Sequence, residues 1–102
     1  MEKQELSYSD CRTFIEYIRK AIKGTIERDY EAIYENIDSA RDMVTDWRYD
    51  GEILLSDYAF LTQCLNQAIA AFCIRDEDVL FFTLMKIKDG FREMMVRHNY
   101  GC

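Results

Sequence analysis

The amino-acid sequence predicts an all-α protein, folded as an antiparallel four-helix bundle with up-down-up-down topology. Three observations lead to this prediction. The 102 residues include no proline and only four glycines, which suits long helices and disfavours a turn-rich β fold. Apolar side chains recur at helical spacing through most of the chain. The connections between these periodic segments are short, and short connections make successive helices antiparallel neighbours.

The first two predicted helices form hairpin one, over about residues 8–48. Ser7 begins a capping-box pattern before the first helix, and Gly24 is expected to end that helix. Asp29 is the expected N-cap of the second helix, which the Tyr-Asp-Gly sequence at residues 49–51 should end. The residues expected in the core are Cys11, Phe14, Ile15, Ile18, Ala21, Ile22, Tyr30, Ile33, Ile37, Ala40, Val44 and Trp47.

The third and fourth predicted helices form hairpin two, over about residues 56–98. The third helix is expected to begin near Ser56 or Asp57, and the fourth after Asp76. His98 lies near the expected end of the fourth helix. The residues expected in the core are Tyr58, Leu61, Leu65, Ala68, Ile69, Phe72, Leu80, Leu84, Ile87, Phe91 and Met94.

The two hairpins resemble each other when the sequence is shifted by 47 residues. The stretch RDYEAI at residues 28–33 then aligns with RDEDVL at residues 75–80, and the apolar positions of the helices coincide. Any two amphipathic hairpins can be shifted into partial agreement, so coincidence is one explanation. Because the helix-start signals coincide as well as the apolar positions, we favour a true internal repeat, giving two related αα-hairpins.

Composition predicts one domain, residues 1–102, with a core large enough to fold without disulfides or metal: 49% of the residues are apolar. The four cysteines form no Cys-x-x-Cys pair, and the polar N-terminal segment does not resemble a signal peptide. The longest uncharged run, residues 58–74, is too short and too polar to span a bilayer. We therefore expect a soluble cytoplasmic protein with reduced thiols. Cys11 and Cys73 are expected to pack as small apolar residues, and Cys102 to be exposed.

No catalytic, metal or cofactor motif is present in the sequence. The single histidine, His98, is expected to interact with the helix dipole at the end of the fourth helix, and no serine or cysteine motif accompanies it. Cys64 and Cys73 are nine residues apart and lack the histidines of a zinc site. The glycines form no phosphate-binding pattern, and Gly90 is expected to allow close helix packing. We therefore predict that the protein is not an enzyme and has no cofactor.

Acidic residues are concentrated in the second predicted helix. Residues 25–50 carry a net charge of −5, out of −6 for the whole chain, and this balance disfavours direct binding to nucleic acid. Five of the acidic residues recur every three or four positions and therefore share one face of the helix. This row is either a solvated surface or a docking surface for a basic partner. We call it the acidic face; it consists of Glu31, Glu35, Asp38, Asp42 and Asp46.

Hairpin two departs from this charge pattern. Shifted by 47 residues, Glu35 and Asp38 correspond to Phe82 and Met85, and Phe81 adds a further apolar side chain. The single core-facing side of a helix in a four-helix bundle cannot bury all of these residues. Either the bundle is irregular and buries them, or a second chain covers them. We predict a homodimer that associates through Phe81, Phe82 and Met85.

The leading functional hypothesis is a small, acidic, non-enzymatic inhibitor of the phage anti-defence or immunity-protein type. Its acidic face would dock on the basic groove of an enzyme that handles nucleic acid. The alternative is a homo-oligomeric structural or adaptor protein with no inhibitory role. Neither hypothesis requires a membrane or direct contact with nucleic acid.

Overall fold

The computed structural model describes residues 6–101, and within that range it contains four α-helices and no β-strand. The helices are α1 (Tyr8–Glu27), α2 (Tyr30–Asp50), α3 (Leu55–Cys73) and α4 (Glu77–His98). Connections of two to four residues join them. No helix in this range has the length and apolar character needed to cross a membrane. The all-α prediction is confirmed.

The four helices pack around one core. Helix α1 lies against α2 and α4, and α3 lies against the same two helices. Within the described residues, the backbones of the diagonal pairs α1–α3 and α2–α4 do not come close to each other. This packing is consistent with a four-helix bundle.

An aromatic cluster joins three helices in the core. The Phe14 ring centroid lies 4.6 Å from that of Phe91 and 5.4 Å from that of Trp47, and the Trp47 and Phe91 rings stack at 5.8 Å. All three side chains are almost completely buried. Such ring pairs add about 0.5–1.5 kcal/mol beyond the burial of their area. The cluster therefore links α1, α2 and α4.

The buried residues follow the predicted helical periodicity, with exceptions at the edges of the core. Tyr30 is exposed, and several residues expected in the core are only half-buried because they lie where a helix meets its neighbour. These half-buried residues are Ile15, Ile22, Tyr58, Ile69 and Phe72.

Five of the predicted helix ends are confirmed, including the start of α4 after Asp76 and its end at His98. The Ser7 side chain accepts a hydrogen bond from the backbone N–H of Asp10 at 3.1 Å, as an N-cap should. Asp29 caps α2 in the same way, through the N–H of Ala32 at 3.1 Å. Gly51 ends α2 in the left-handed conformation, with φ at 70°.

The predicted end of α1 at Gly24 is wrong, because the helix continues to Glu27 and Arg28 takes the left-handed conformation. Gly24 instead allows α1 to approach α2 closely. A Cβ atom added at Gly24 would lie 2.8 Å from Cγ1 of Ile33 and 3.3 Å from the backbone oxygen of Asp29. The glycine is thus required by packing within a helix rather than by a helix end.

The predicted start of α3 is also displaced. The helix begins at Leu55, and its N-cap residue, Leu54, makes no capping hydrogen bond through its side chain. Asp57, which was expected near the cap, lies inside the first turn and is only 4% exposed. Its side chain therefore has a different role, described with the candidate site.

The connection between α1 and α2 has the same conformation as the connection between α3 and α4. Arg28 and Arg75 both have φ at 56°, and the residue after each of them is an aspartate N-cap. In both connections the N–H of that aspartate donates, over 2.9 Å, to the carbonyl five residues earlier. Corresponding residues are 47 positions apart, as in the sequence alignment.

These two connections also contact each other. The Tyr30 hydroxyl donates to Oε1 of Glu77 over 3.0 Å. These two residues are 47 positions apart and therefore correspond to each other in the two halves of the chain. The Arg75 guanidinium lies over the rings of Tyr30 and Phe72, at 4.6 and 4.4 Å from their centroids. Arg28 lies 3.8 Å from Glu77 in an exposed ion pair. Side chains therefore join the two halves at this end of the bundle.

Replacing Asp29 or Asp76 by alanine should lower the free energy of unfolding by about 1 kcal/mol in each case, because each change removes one N-cap hydrogen bond. The control, Asp46→Ala on the exposed surface of α2, should change it by less than about 0.5 kcal/mol. Urea unfolding followed by circular dichroism measures all three. Markedly unequal losses at the two caps would contradict the equivalence of the two connections.

Candidate functional site

The acidic face lies on the side of α2 that points away from the core. Successive residues of an α-helix are about 100° apart, which places this row about 180° around α2 from the core residues Ile33, Ile37 and Val44. Four of its five residues are exposed, and Asp38 is half-buried. The face is therefore open to an approaching partner along the helix.

Within the described residues, most carboxylates of the acidic face form no ion pair. Asp38 is the exception, since its Oδ1 atom accepts a hydrogen bond from Nη2 of Arg41 over 2.9 Å. Surface pairs of this kind contribute little to stability. In residues 6–101, no ion pair involves Glu31, Glu35, Asp42 or Asp46. The acidic face thus carries uncompensated negative charge.

A separate group of carboxyls lies near the end of α2. Partial burial raises the pKa of Glu52, and the neighbouring carboxylates of Asp10 and Asp50 raise it further. Glu52 is in the connection between α2 and α3, away from the acidic face. These carboxyls therefore repel one another locally and do not extend the row on α2.

The residues predicted to mediate self-association differ in exposure. Phe82 is 70% exposed, whereas Phe81 and Met85 are half-buried. The rings of Phe81 and Phe82 meet edge to face, with their centroids 6.0 Å apart. Of the three residues, Phe82 thus offers the most apolar surface to a second chain.

Hairpin two exposes less apolar surface on α3 than its composition suggested. Apart from Leu55 at its start, the outer residues of α3 are small or carry amides. They are Ala59, Gln63, Asn66, Gln67, Ala70 and Cys73. The larger exposed apolar side chains lie at the ends of α3 and along α4: Leu55, Ile74, Val79, Phe82 and Val96. Self-association through hairpin two would therefore use α4.

A buried polar cluster formed by Asp57, His98 and Tyr100 was not predicted from the sequence. Oδ2 of Asp57 lies 2.6 Å from Nδ1 of His98 and accepts a hydrogen bond from the Tyr100 hydroxyl over 2.7 Å. The Nδ1–H direction of His98 is not aligned for a hydrogen bond, so this contact is a close ion pair when the imidazole is protonated. The Asp57 carboxylate of α3 therefore positions His98. This contact is additional to the predicted interaction of His98 with the helix dipole.

The cluster connects the end of the described chain to the starts of two helices. The Tyr100 hydroxyl also accepts a hydrogen bond from the N–H of Leu54 at 3.0 Å. The N–H of Gly101 donates to the carbonyl of Leu6 over 2.9 Å. These bonds hold residues 99–101 across the end of the bundle, which is a structural role for the cluster.

The same cluster borders a surface groove of about 300 Å³ between α3 and α4. An added Cβ atom at Gly90 would lie 2.8 Å from the Phe60 ring, so Gly90 allows the close packing that was predicted for it. Ser56 lines the groove but makes no hydrogen bond to the imidazole of His98. The cluster therefore lacks the serine–imidazole contact of a hydrolytic site. The lining residues are Ser56, Asp57, Phe60, Gly90, Glu93, Met94, Arg97 and His98.

The cysteines differ in burial. Cys11 and Cys64 are buried, but Cys73 is exposed, so its predicted role as a packed apolar residue is wrong. The position lies in the last turn of α3 and faces outward. Burial raises the pKa of the Cys64 thiol, and nearby Lys86 opposes this shift. Cys102 lies outside the described residues. Among residues 6–101, no three His, Cys, Asp or Glu side chains are grouped so that they could hold a metal ion.

Comparison with known proteins identifies no relative: no protein-family model, curated protein or solved structure matches the chain significantly. Functional arguments for this chain therefore rest on its own residues.

Tyr100→Phe should lower the free energy of unfolding by about 1–3 kcal/mol, because it leaves the buried Asp57 carboxylate and the Leu54 N–H without the hydroxyl partner. Tyr49→Phe is the matched control, since Tyr49 is 85% exposed. It should be close to neutral. Chemical unfolding of both variants provides the measurement, and equal stabilities would show that the buried hydroxyl bonds contribute nothing.

Proposed function

We propose that this chain is a non-enzymatic protein-binding protein whose acidic face docks on a basic surface of its partner. The supporting observation is the row of carboxylates on the outer side of α2, of which Glu31, Glu35, Asp42 and Asp46 are exposed and form no ion pair within residues 6–101. The proposed partner is an enzyme that handles nucleic acid and binds it in a basic groove. The chain would then act as an inhibitor of the phage anti-defence or immunity-protein type.

The length of the acidic face suits such a groove. Glu31 and Asp46 are fifteen residues apart, which corresponds to about 22 Å along a helix. One strand of duplex DNA carries a phosphate about every 3.4 Å along its axis, so the face spans about six nucleotide steps. A row of negative charge on this scale can occupy a groove that evolved for a phosphate backbone, and it accelerates association at low salt.

The surface of α4 that corresponds to the acidic face under the 47-residue offset supports this proposal. Glu35 and Asp38 on α2 correspond to Phe82 and Met85 on α4. Like charges at helical spacing destabilise a helix by a few tenths of a kcal/mol per pair. Because the acidic face has this stability cost, its presence favours a docking role over a solvated surface alone.

We also propose that the protein is a homodimer associated through hairpin two. The main support is that Phe82, at 70% exposure, lies beside the half-buried Phe81 and Met85, because a contiguous exposed apolar surface marks an interaction site. If this association is the only interaction, the protein is instead a homo-oligomeric structural or adaptor protein. The two functions differ in whether the acidic face binds another protein.

The proposed architecture is an up-down-up-down bundle of two related αα-hairpins. Its support is the equal conformation of the two intra-hairpin connections and the 47-residue offset between corresponding helix starts. Such a repeat makes the surfaces of α2 and α4 equivalent by descent. Their different residues would then reflect separate functions acquired on one scaffold.

The cytoplasm is the proposed location. Cys64 is a buried free thiol, and Cys73 is an exposed free thiol. Exposed free thiols persist in a reducing compartment.

Replacing Glu35, Asp42 and Asp46 together by lysine should weaken partner binding at least tenfold at low salt, because it reverses the charge of the acidic face. The control replaces Glu16, Glu27 and Glu93, exposed acids of α1 and α4, and changes the net charge equally. It should retain most of the affinity.

The assay has two steps. Immobilised wild-type protein first captures its partner from a lysate of the native host. Fluorescence anisotropy then measures whether wild-type protein displaces a labelled oligonucleotide from that partner. Equal displacement by both triple variants would contradict docking through the acidic face, and self-association without a captured enzyme would favour the adaptor hypothesis.

Phe82→Glu should convert the homodimer to a folded monomer at micromolar concentration, because it places a charge in the apolar contact. The control is Ile26→Glu, since Ile26 is 71% exposed but lies on α1. Light scattering gives the mass, and circular dichroism verifies folding. A wild-type protein that is already monomeric at high concentration would exclude the dimer.

A further inference from the structure

The outer surface of α4 carries a row of residues with an acidic residue at one end and a basic residue at the other. The row consists of Asp78, Phe82, Met85, Asp89 and Arg92, spaced 4, 3, 4 and 3 residues apart, and we call it the α4 row. Counted from Met85, its members stand at −7, −3, 0, +4 and +7. The two ends are therefore equidistant from Met85 and opposite in charge.

We infer that two copies of the chain pair through the α4 row with their α4 helices antiparallel and the twofold axis at Met85. This inference rests on the homodimer proposed above and specifies its geometry. A twofold axis at Met85 brings Asp78 of one copy opposite Arg92 of the other, about 10 Å from the axis on each side. Two equivalent ion pairs then flank a Met85–Met85 contact.

The apolar residues fit the same register. Phe82 meets the segment containing Lys88 and Asp89 of the second copy, where the aliphatic stem of Lys88 can cover the ring. Beyond Arg92, Val96 lies on the same side of α4 and is 83% exposed.

The charged members of the α4 row are available for this contact. Asp78, Asp89 and Arg92 are exposed, and in the described part of the chain no ion pair involves them. Partners supplied by a second copy would therefore replace no existing bond.

Other arrangements fit less well. Parallel α4 helices would place Asp78 against Asp78 and Arg92 against Arg92, and like charges so placed repel. A twofold axis at Phe82 would require Lys86 to meet Asp78. However, Lys86 is turned toward α3, with its Nζ atom 5.8 Å from the Phe60 ring centroid. Of these three arrangements, only the axis at Met85 pairs opposite charges across the interface and also brings apolar side chains together.

The dimer leaves the acidic face uncovered. Helices α2 and α4 are diagonal in the bundle, and their backbones do not come close to each other. Pairing through α4 therefore places the acidic faces of the two copies on the outer sides of the dimer, where each can bind a partner.

Charge reversal tests the register. Asp78→Arg alone places arginines opposite each other at both ends of the interface, and Arg92→Asp alone places aspartates opposite each other. Each variant should dissociate at least tenfold more readily than the wild-type dimer in sedimentation at low salt. An equimolar mixture of the two should regain the dimer, because every arginine then faces an aspartate across the interface.

The mixture provides its own control for folding, since it contains the same two chains. Circular dichroism verifies that each single variant is helical. Single variants that dimerise like the wild type, or a mixture that stays monomeric, would overturn the proposed register. A monomeric wild-type protein would overturn both the register and the homodimer, but would leave docking of the acidic face to be judged by its own capture assay.

Cross-linking gives a second, independent measurement. In a chain with Cys73→Ser and Cys102→Ser, Met85→Cys places one thiol from each copy at the axis. A short bismaleimide should join most of these chains into covalent dimers. The control Tyr49→Cys, at an exposed position on α2, should yield few. Equal yields at the two positions would contradict an axis at Met85.

Discussion

Burial of one apolar row from each helix in a single shared core is the interaction on which the rest of this structure depends. The contacts of Phe14, Trp47 and Phe91 fix how α1, α2 and α4 are rotated about their own axes. Once that rotation is fixed, the opposite side of each helix must face outward. The acidic face of α2 and the α4 row both owe their exposure to this constraint, although neither contributes to the core.

The features predicted correctly from the sequence are those determined by local interactions. Ser7, Asp29 and Asp76 bond to backbone groups three residues later, so a short window of sequence suffices to identify them. The helical periodicity of the core is local in the same sense. The exposure of the acidic face followed from its spacing, because a charged row opposite an apolar row can face only water.

The features missed depend on contacts between distant residues. Asp57 and His98 are 41 positions apart, and no spacing rule relates them, so their ion pair becomes visible only when α3 and α4 are packed. Gly24 resembled a helix end because glycine is common there, whereas the nearby Ile33 side chain explains its presence. Cys73 was expected to pack as a small apolar residue, yet it lies in the last turn of α3 and is exposed. Tertiary packing decided all three cases.

The left-handed arginines, Arg28 and Arg75, have a consequence for binding. A non-glycine residue in this conformation costs about 1–2 kcal/mol, and a glycine hinge would also allow far more motion. Here the Arg75 side chain lies over two aromatic rings, and Asp29 and Gly51 bond to the two ends of α2. Helix α2 is therefore held as a rigid rod before any partner arrives. A partner would need to order only the carboxylate side chains, so little of the interaction free energy would be lost to conformational entropy.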